Sequence, residues 1–232
     1  MPTIVFASPK GGAGKSTSAV ILAAELARSG AQVTLIDADP NHPVTQWANR
    51  PGCPSAITVV AASSEDSIID TILEAAQRTA FVIVDLEGTA SMTVAYAISR
   101  ADLVIIPTQG SQLDAAEAAK AIKLIRQQAK AFDRSIPYAV VFTRTSPAIK
   151  PRTYRHIRRE FLDHSVPTFD TEINERDAYR ALFSFGGTLE SLDPAQVSNV
   201  RGAINNAHSF ATEVVGMLRT GNTASLSAET AT

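Results

Sequence analysis

Two lysines, three closely spaced glycines and a hydroxyl follow one another in Lys10-Gly11-Gly12-Ala13-Gly14-Lys15-Ser16-Thr17. Gly11, Gly12 and Gly14 let the backbone curl so that successive N–H groups point inward. A helix opening at this point adds the partial positive charge of its N-terminus. The chemistry that this pattern suits is phosphate binding. The amides of Gly11 to Thr17, Ala13 included, would line the cradle, Lys15 would reach the β and γ phosphates, and the Ser16 hydroxyl would ligate Mg²⁺. Further carboxylates are available to such a ligand. Asp37 and Asp39 stand in Asp37-Ala38-Asp39-Pro40-Asn41, and Asp85 ends the apolar run Phe81-Val82-Ile83-Val84. A carboxylate closing a buried strand beside a phosphate loop can hold a Mg²⁺ water. For Asp39-Pro40, an Asx-Pro turn accounts for the same residues without any chemistry.

Strands must bring these groups together. Thr3-Ile4-Val5-Phe6 is β-branched and aromatic and predicts a strand leading into the loop. Behind it, Ala19, Ile21, Leu22, Ala23, Leu26 and Ala27 recur at helical spacing up to Gly30, placed as a C-terminal cap. Further strands are expected near residues 33–37, 57–60, 81–85, 103–108 and 138–144, with Val166-Pro167-Thr168-Phe169 as the last. Helices are expected over residues 64–79, 91–100 and 111–132, from Ile173, and from a cap at Asp193-Pro194 to about Leu218. Trp47 reads as half-buried core. The alternation predicts an α/β fold: a doubly wound, mostly parallel, twisted sheet with helices on both faces, its ligands at the carboxyl ends of the strands. Residues 1–219 are expected to form a single domain, and the small, polar residues 220–232 a disordered tail.

The 232 residues are 45% hydrophobic, enough for one large core, and carry a net charge of -2. Any nucleic-acid contact must therefore come from a local patch. One stretch offers it: Arg144, Lys150, Arg152, Arg155, Arg158 and Arg159 are opposed only by Glu160, and Arg152, Arg155 and Arg159 share a helical face with Tyr154 and His156 interleaved. Such a face suits DNA phosphates without sequence preference, or it is an ordinary solvated exterior. The lone Cys53 leaves no disulfide framework and no cysteine-built metal or iron–sulfur site within one chain. With no charged leader and no long apolar run, the expectation is a cytoplasmic protein without membrane contact.

The loop departs from the ordinary phosphate-binding pattern, because Pro9 stands where that pattern has glycine and Lys10 follows it. Lys-Gly-Gly-x-Gly-Lys-Ser resembles the deviant Walker A loop of the ParA/MinD family of P-loop ATPases. The likeness extends from Thr3 to about Leu218. It implies Mg-dependent hydrolysis of ATP, slow and used for switching. It also implies a homodimer formed with ATP, in which Lys10 touches the partner subunit's phosphates. By the same resemblance Asp39 orients the attacking water while Asp37 is structural or supports it from behind, Thr143 and Arg144 contact the base, and Asp114 and Glu117 face the dimer partner. Family members bind DNA non-specifically in the ATP dimer, which favours the DNA reading of Lys150, Arg152, Arg155, Arg158 and Arg159 and implies a cytoplasmic, nucleoid-associated protein. A ParB-like or other adaptor would activate hydrolysis. Asp-Ala-Asp-x-Asn-x-Pro-x-Thr-x-Trp at residues 37–47 together with Glu175-Arg176-Asp177-Ala178 is similar to the subgroup that assists conjugative or T-DNA transfer. After Asp85 the family continues with prolines, whereas this chain has Leu86-Glu87-Gly88-Thr89-Ala90-Ser91. Glu87 either adds negative charge near the γ-phosphate or faces solvent. Two alternatives share the loop: a metabolic ligase of the dethiobiotin-synthase or amidoligase type, and a positioner of a protein cargo or of a conjugative transfer complex.

Overall fold

The computed structural model describes residues 1–62, 67–88 and 91–229, with side chains described as far as Thr220. Seven strands, β1 (Thr3–Phe6), β2 (Val33–Ala38), β3 (Ile57–Ala61), β4 (Phe81–Leu86), β5 (Leu103–Thr108), β6 (Tyr138–Thr145) and β7 (Ile173–Asn174), form one sheet in the order β3-β2-β4-β1-β5-β6-β7. Every pairing is parallel. A parallel sheet is covered on both faces, which is why β1, β2 and β5 are buried at every residue instead of alternating with polar positions.

The strands still sort their side chains by parity. Ile4, Phe6, Leu35, Ile83 and Ile105 point into one core with α1 (Lys15–Arg28), α2 (Pro43–Ala48), α7 (Asp177–Phe185) and α8 (Val200–Glu229). Val5, Ile36, Val82, Val84 and Ile106 point into the other with α3 (Ile68–Arg78), α4 (Met92–Ser99), α5 (Gln112–Ala131) and α6 (Arg152–Asp163). Successive Cβ atoms alternate across a strand, so one sheet seeds two cores. Trp47 is buried completely, more than the expected half, and its indole N–H donates to the Gly187 carbonyl at 3.0 Å.

Four boundaries differ from expectation, one being the end of α8, which continues from the expected Leu218 to Glu229, through residues expected to form a tail. In Val166-Pro167-Thr168-Phe169 only Thr168 makes an isolated bridge, to Val140, and the seventh strand is Ile173–Asn174. Pro167 has no N–H to donate to a ladder. The following helix starts at Asp177, after the residues that pair with β6. The last helix starts at Val200: Asp193 closes a turn through the N–H groups of Gln196 and Val197, and Asn199 accepts from the Gly202 N–H at 3.1 Å. The first residues of the helix expected over 64–79, and Thr89-Ala90 after the strand ending in Leu86, lie outside the described residues.

Candidate functional site

Strand register places the sequence-marked carboxylates. Phe6 at the end of β1 is level with Asp85 on β4, and Asp37 on β2 is level with Asp85 on its other side. The turn into α1 leaves from the same edge, so loop and carboxylates meet at the carboxyl end of the sheet, beside its central strand. Asp37 is not available for a ligand, because its Oδ2 accepts from the Thr45 N–H at 2.7 Å and the Thr45 hydroxyl at 2.8 Å, which anchors α2. Asp39, half-buried one turn further, receives the Asn41 N–H at 2.9 Å and the Asn41 amide at 3.0 Å and lines the cavity over the loop.

The loop itself is built on glycine. Gly12 and Gly14 have φ of 74° and 97°, left-handed values that side chains resist, and no side chain caps the first turn of α1. The cavity above it measures about 460 Å³ and is lined by Gly11, Lys15, Ser16, Asp39, Glu87 and Arg144 among others. Lys15 is 6% exposed. It forms no ion pair among the described residues, and burial lowers its pKa against the pull of Asp85, Asp39 and Glu87. Asp85 is fully buried and neither of its oxygens has a hydrogen-bond partner. Burial pushes its pKa up to about 7; Ser16 and Lys15 oppose the shift, while Asp37 and Asp39 add to it. A buried carboxylate without a hydrogen bond is costly, and so is a desolvated ammonium without an ion pair. A polyphosphate with its divalent cation satisfies both. Among the described residues no three His, Cys, Asp or Glu side chains gather to hold a metal alone. Mg²⁺ is commonly held by one or two protein ligands and completes its shell with phosphate and water. The residues present therefore fit ATP and Mg²⁺.

Glu87 is half-buried, lines this cavity and also another beside α5, and its charge raises the Lys15 pKa after Asp85 and Asp39. Gly88 closes on the loop from above: a Cβ added there would lie 3.0 Å from the Gly11 nitrogen. On the far side, Thr143 stands behind the loop. Its hydroxyl donates to the Ala13 carbonyl at 2.7 Å and the Thr108 carbonyl at 3.2 Å, so it braces the cradle, although it also lines the neighbouring cavity. That cavity, about 240 Å³, is bounded by Gly14, Thr17, Arg144, Asn174, Arg176 and Tyr179 among others. Arg144, at φ 52° in an irregularity between Thr143 and Thr145, stands out of the β6 ladder and borders both cavities. Asn174 reaches this cavity only because β7 pairs with β6, and Arg176, within the Glu175-Arg176-Asp177-Ala178 stretch, follows it there.

The basic segment divides. Arg152, Arg155 and Arg159 are exposed along α6, and Arg159 reaches Asp163 only at 4.0 Å. Lys150 and Arg158 instead converge on Glu172, with Arg158 3.3 Å from it and 3.6 Å from Asp170, and the Tyr154 hydroxyl donates to the same carboxylate. Two of the five cations expected to face DNA are thus held by acidic residues of the loop before β7. Spacing along the helix could not reveal a counter-charge arriving from elsewhere in the chain. Asp114 and Glu117 are likewise engaged inside the chain: Asp114 is 4% exposed and pairs with Lys10, and Glu117 pairs with Lys120 at 2.7 Å.

Comparison with known proteins bears on the family and the fold. The family model described as VirC1 protein matches residues 1–220. A protein named ParA from Rhizobium radiobacter is 47% identical over 211 residues, covering 91% of this chain and 95% of that one. Protein virC1 of Rhizobium rhizogenes is 32% identical over 187 residues, covering 78% of this chain and 80% of that one. Among solved structures, the Cyanothece McdA(D38A)-ATP complex superposes with a TM-score of 0.75 at 18% identity, covering 93% of this chain and 96% of that one, a likeness of fold. With its all-parallel sheet, its two-lysine phosphate loop and these relatives, the chain belongs to the VirC1 family, within the ParA/MinD group of ATPases.

Proposed function

We propose that this protein is an ATP-operated switch that dimerises across its phosphate loops, binds DNA without sequence preference in that state, and hydrolyses ATP slowly to partition or position DNA. The observation that carries the reading is Asp85, fully buried with neither oxygen hydrogen-bonded, beside Lys15, buried without an ion pair among the described residues and lining the cavity under an uncapped helix N-terminus. A fold that leaves one without a hydrogen bond and the other without an ion pair suits a ligand that supplies the opposite of each.

Lys15 and the loop amides bind the phosphates and stabilise the charge that develops on the γ-phosphoryl group. Bound Mg²⁺ would neutralise phosphate charge, with Ser16 and Asp85 as its protein ligands. Asp39, free on one oxygen edge and fixed by Asn41, orients the attacking water. Glu87 adds negative charge beside the same cavity, which opposes charge build-up on phosphate and favours slow turnover. Arg144 lies between the base-side and phosphate-side cavities, where a nucleotide's sugar and phosphates would meet. Lys10 extends to the partner subunit's nucleotide, and Arg152, Arg155 and Arg159 track DNA phosphates. An adaptor protein, ParB-like or serving a transfer complex, triggers release.

DNA retention measured with ATP, with ADP and without nucleotide tests the switch. Binding only with ATP is the expected result. Equal binding in all three states contradicts the switch, and turnover that requires a small-molecule acid in place of DNA supports the ligase alternative.

A further inference from the structure

Lys10, the residue required to reach outward, is folded inward in the monomer. Its Nζ lies 2.5 Å from Oδ1 of Asp114 in the first turn of α5. The two partners are unequal: the lysine side chain is 40% exposed and the aspartate 4%. Asp114 is also fixed on every side. Its second oxygen accepts the Ser111 hydroxyl, its N–H donates to Ser111 Oγ at 3.3 Å, and its carbonyl accepts the Thr108 hydroxyl at 3.2 Å. The same helix entrance touches the cradle directly, through the Gln109 amide on the Gly12 carbonyl at 3.2 Å. Of this ion pair, the lysine is the half that can move.

We infer that Asp114 is a positioning residue that retains Lys10 within its own subunit, so that ATP-dependent dimerisation must first compete that intrachain ion pair away. This rests on the sandwich reading above. A buried, rigid carboxylate holds an ammonium at direct contact distance, and the same Nζ cannot extend to a second molecule while it stays there. The partner's triphosphate, with higher charge than one carboxylate, is the ligand able to win the exchange. The ion pair therefore raises the protein concentration at which dimers form without altering how one subunit binds its own nucleotide, for which Lys15 and the loop amides suffice.

The test is Asp114→Asn in the full chain. It removes the charge and keeps an oxygen for the Ser111 hydroxyl; Asp114→Ser serves as a second variant should the amide disturb the helix cap. Sedimentation with Mg²⁺ and a non-hydrolysable ATP analogue should show the variant dimerising at a three- to tenfold lower protein concentration than the native chain, with analogue affinity per subunit unchanged. In a Lys10→Ala background the same change should have no effect. Dimerisation that is unchanged or weakened by Asp114→Asn, with the native chain dimerising normally, overturns the inference and leaves the sandwich intact. If the native chain and the variant both stay monomeric with saturating analogue, the sandwich reading itself falls and this inference with it.

Discussion

The phosphate loop and the α6 surface are both basic, and they treat their charges in opposite ways. At the loop, Lys15 is buried without an ion pair among the described residues and faces Asp85, whose oxygens have no hydrogen-bond partner. On α6 the cations are either in water, as Arg152, Arg155 and Arg159 are, or neutralised, as Lys150 and Arg158 are by Glu172. Unpartnered charge inside a fold is expensive, whereas exposed charge costs almost nothing. A costly arrangement implies a ligand; an inexpensive one is compatible with function and with mere solubility. That is why the nucleotide site can be argued from structure and the DNA surface has to be tested.

The contrast breaks most readily at Lys15. Lys15→Met should lower turnover about a hundredfold or more and abolish analogue binding. The nucleotide-free protein should not lose thermal stability, because a desolvated ammonium has been replaced by an apolar chain of similar length. A large drop in melting temperature would show that Lys15 is already satisfied.

Asp85 gives a pH signature. Its carboxyl is protonated up to about pH 7 in the nucleotide-free fold and must lose that proton to meet a cation. Mg²⁺ affinity, read by titration calorimetry with a saturating nucleotide, should therefore rise about tenfold from pH 6 to pH 8. Asp85→Asn should bind weakly and flat across that range. In the absence of ligand the sign reverses: a folded-state pKa above the unfolded value means that this group's stabilisation is present at low pH and is lost as pH rises through about 7. A melting series from pH 5 to pH 8 on both proteins separates the two effects.

Gly88→Ala sharpens the description of the cradle. The added methyl would meet the Gly11 nitrogen at 3.0 Å, and backbone on both sides has little room to yield. Analogue affinity should fall by about tenfold while the fold is retained, a cost of the order seen for overpacking. Unchanged affinity would mean that the stretch after β4 moves aside freely.

The α6 surface carries the smallest effects. Replacing Arg152, Arg155 and Arg159 by alanine should weaken DNA retention and lower the slope of log affinity against log salt by about 2 to 3. Arg158→Ala should leave that slope nearly unchanged and cost stability by at most about 1 kcal/mol, since it removes one partner of Glu172. Equal slopes for the triple variant and the native chain would place any DNA contact elsewhere.

Local pattern was enough for the cradle and for most of the sheet. The Lys10-to-Thr17 loop depends on residues adjacent in the chain, since glycines at φ of 74° and 97° and a helix starting at Lys15 need no distant partner to be recognised. The strands through Phe142 were legible because a parallel sheet buried on both faces demands unbroken apolar runs. Legibility failed after Arg144, where the strand is only Ile173–Asn174 and its existence depends on pairing with β6, not on propensity. Nor could local pattern show that the Thr143 hydroxyl, besides lining the neighbouring cavity, braces the loop through the Ala13 carbonyl, 130 residues away in sequence.

By itself, then, the sequence determined a phosphate-binding loop with two lysines, the carboxylate at Asp85, the alternation that yields a doubly wound sheet, and membership of a family of ATPases. Only the tertiary structure decided which charges remain free. Lys10 meets Asp114 across 104 residues and Lys150 meets Glu172 across 22, while the structural role already expected of Asp37 is seen in its bonds to Thr45. Residue type and spacing state what a side chain can do. Its partners are set by strand order and register, and an ionic or hydrogen-bonded partner is what takes a lysine or aspartate out of chemistry or leaves it ready.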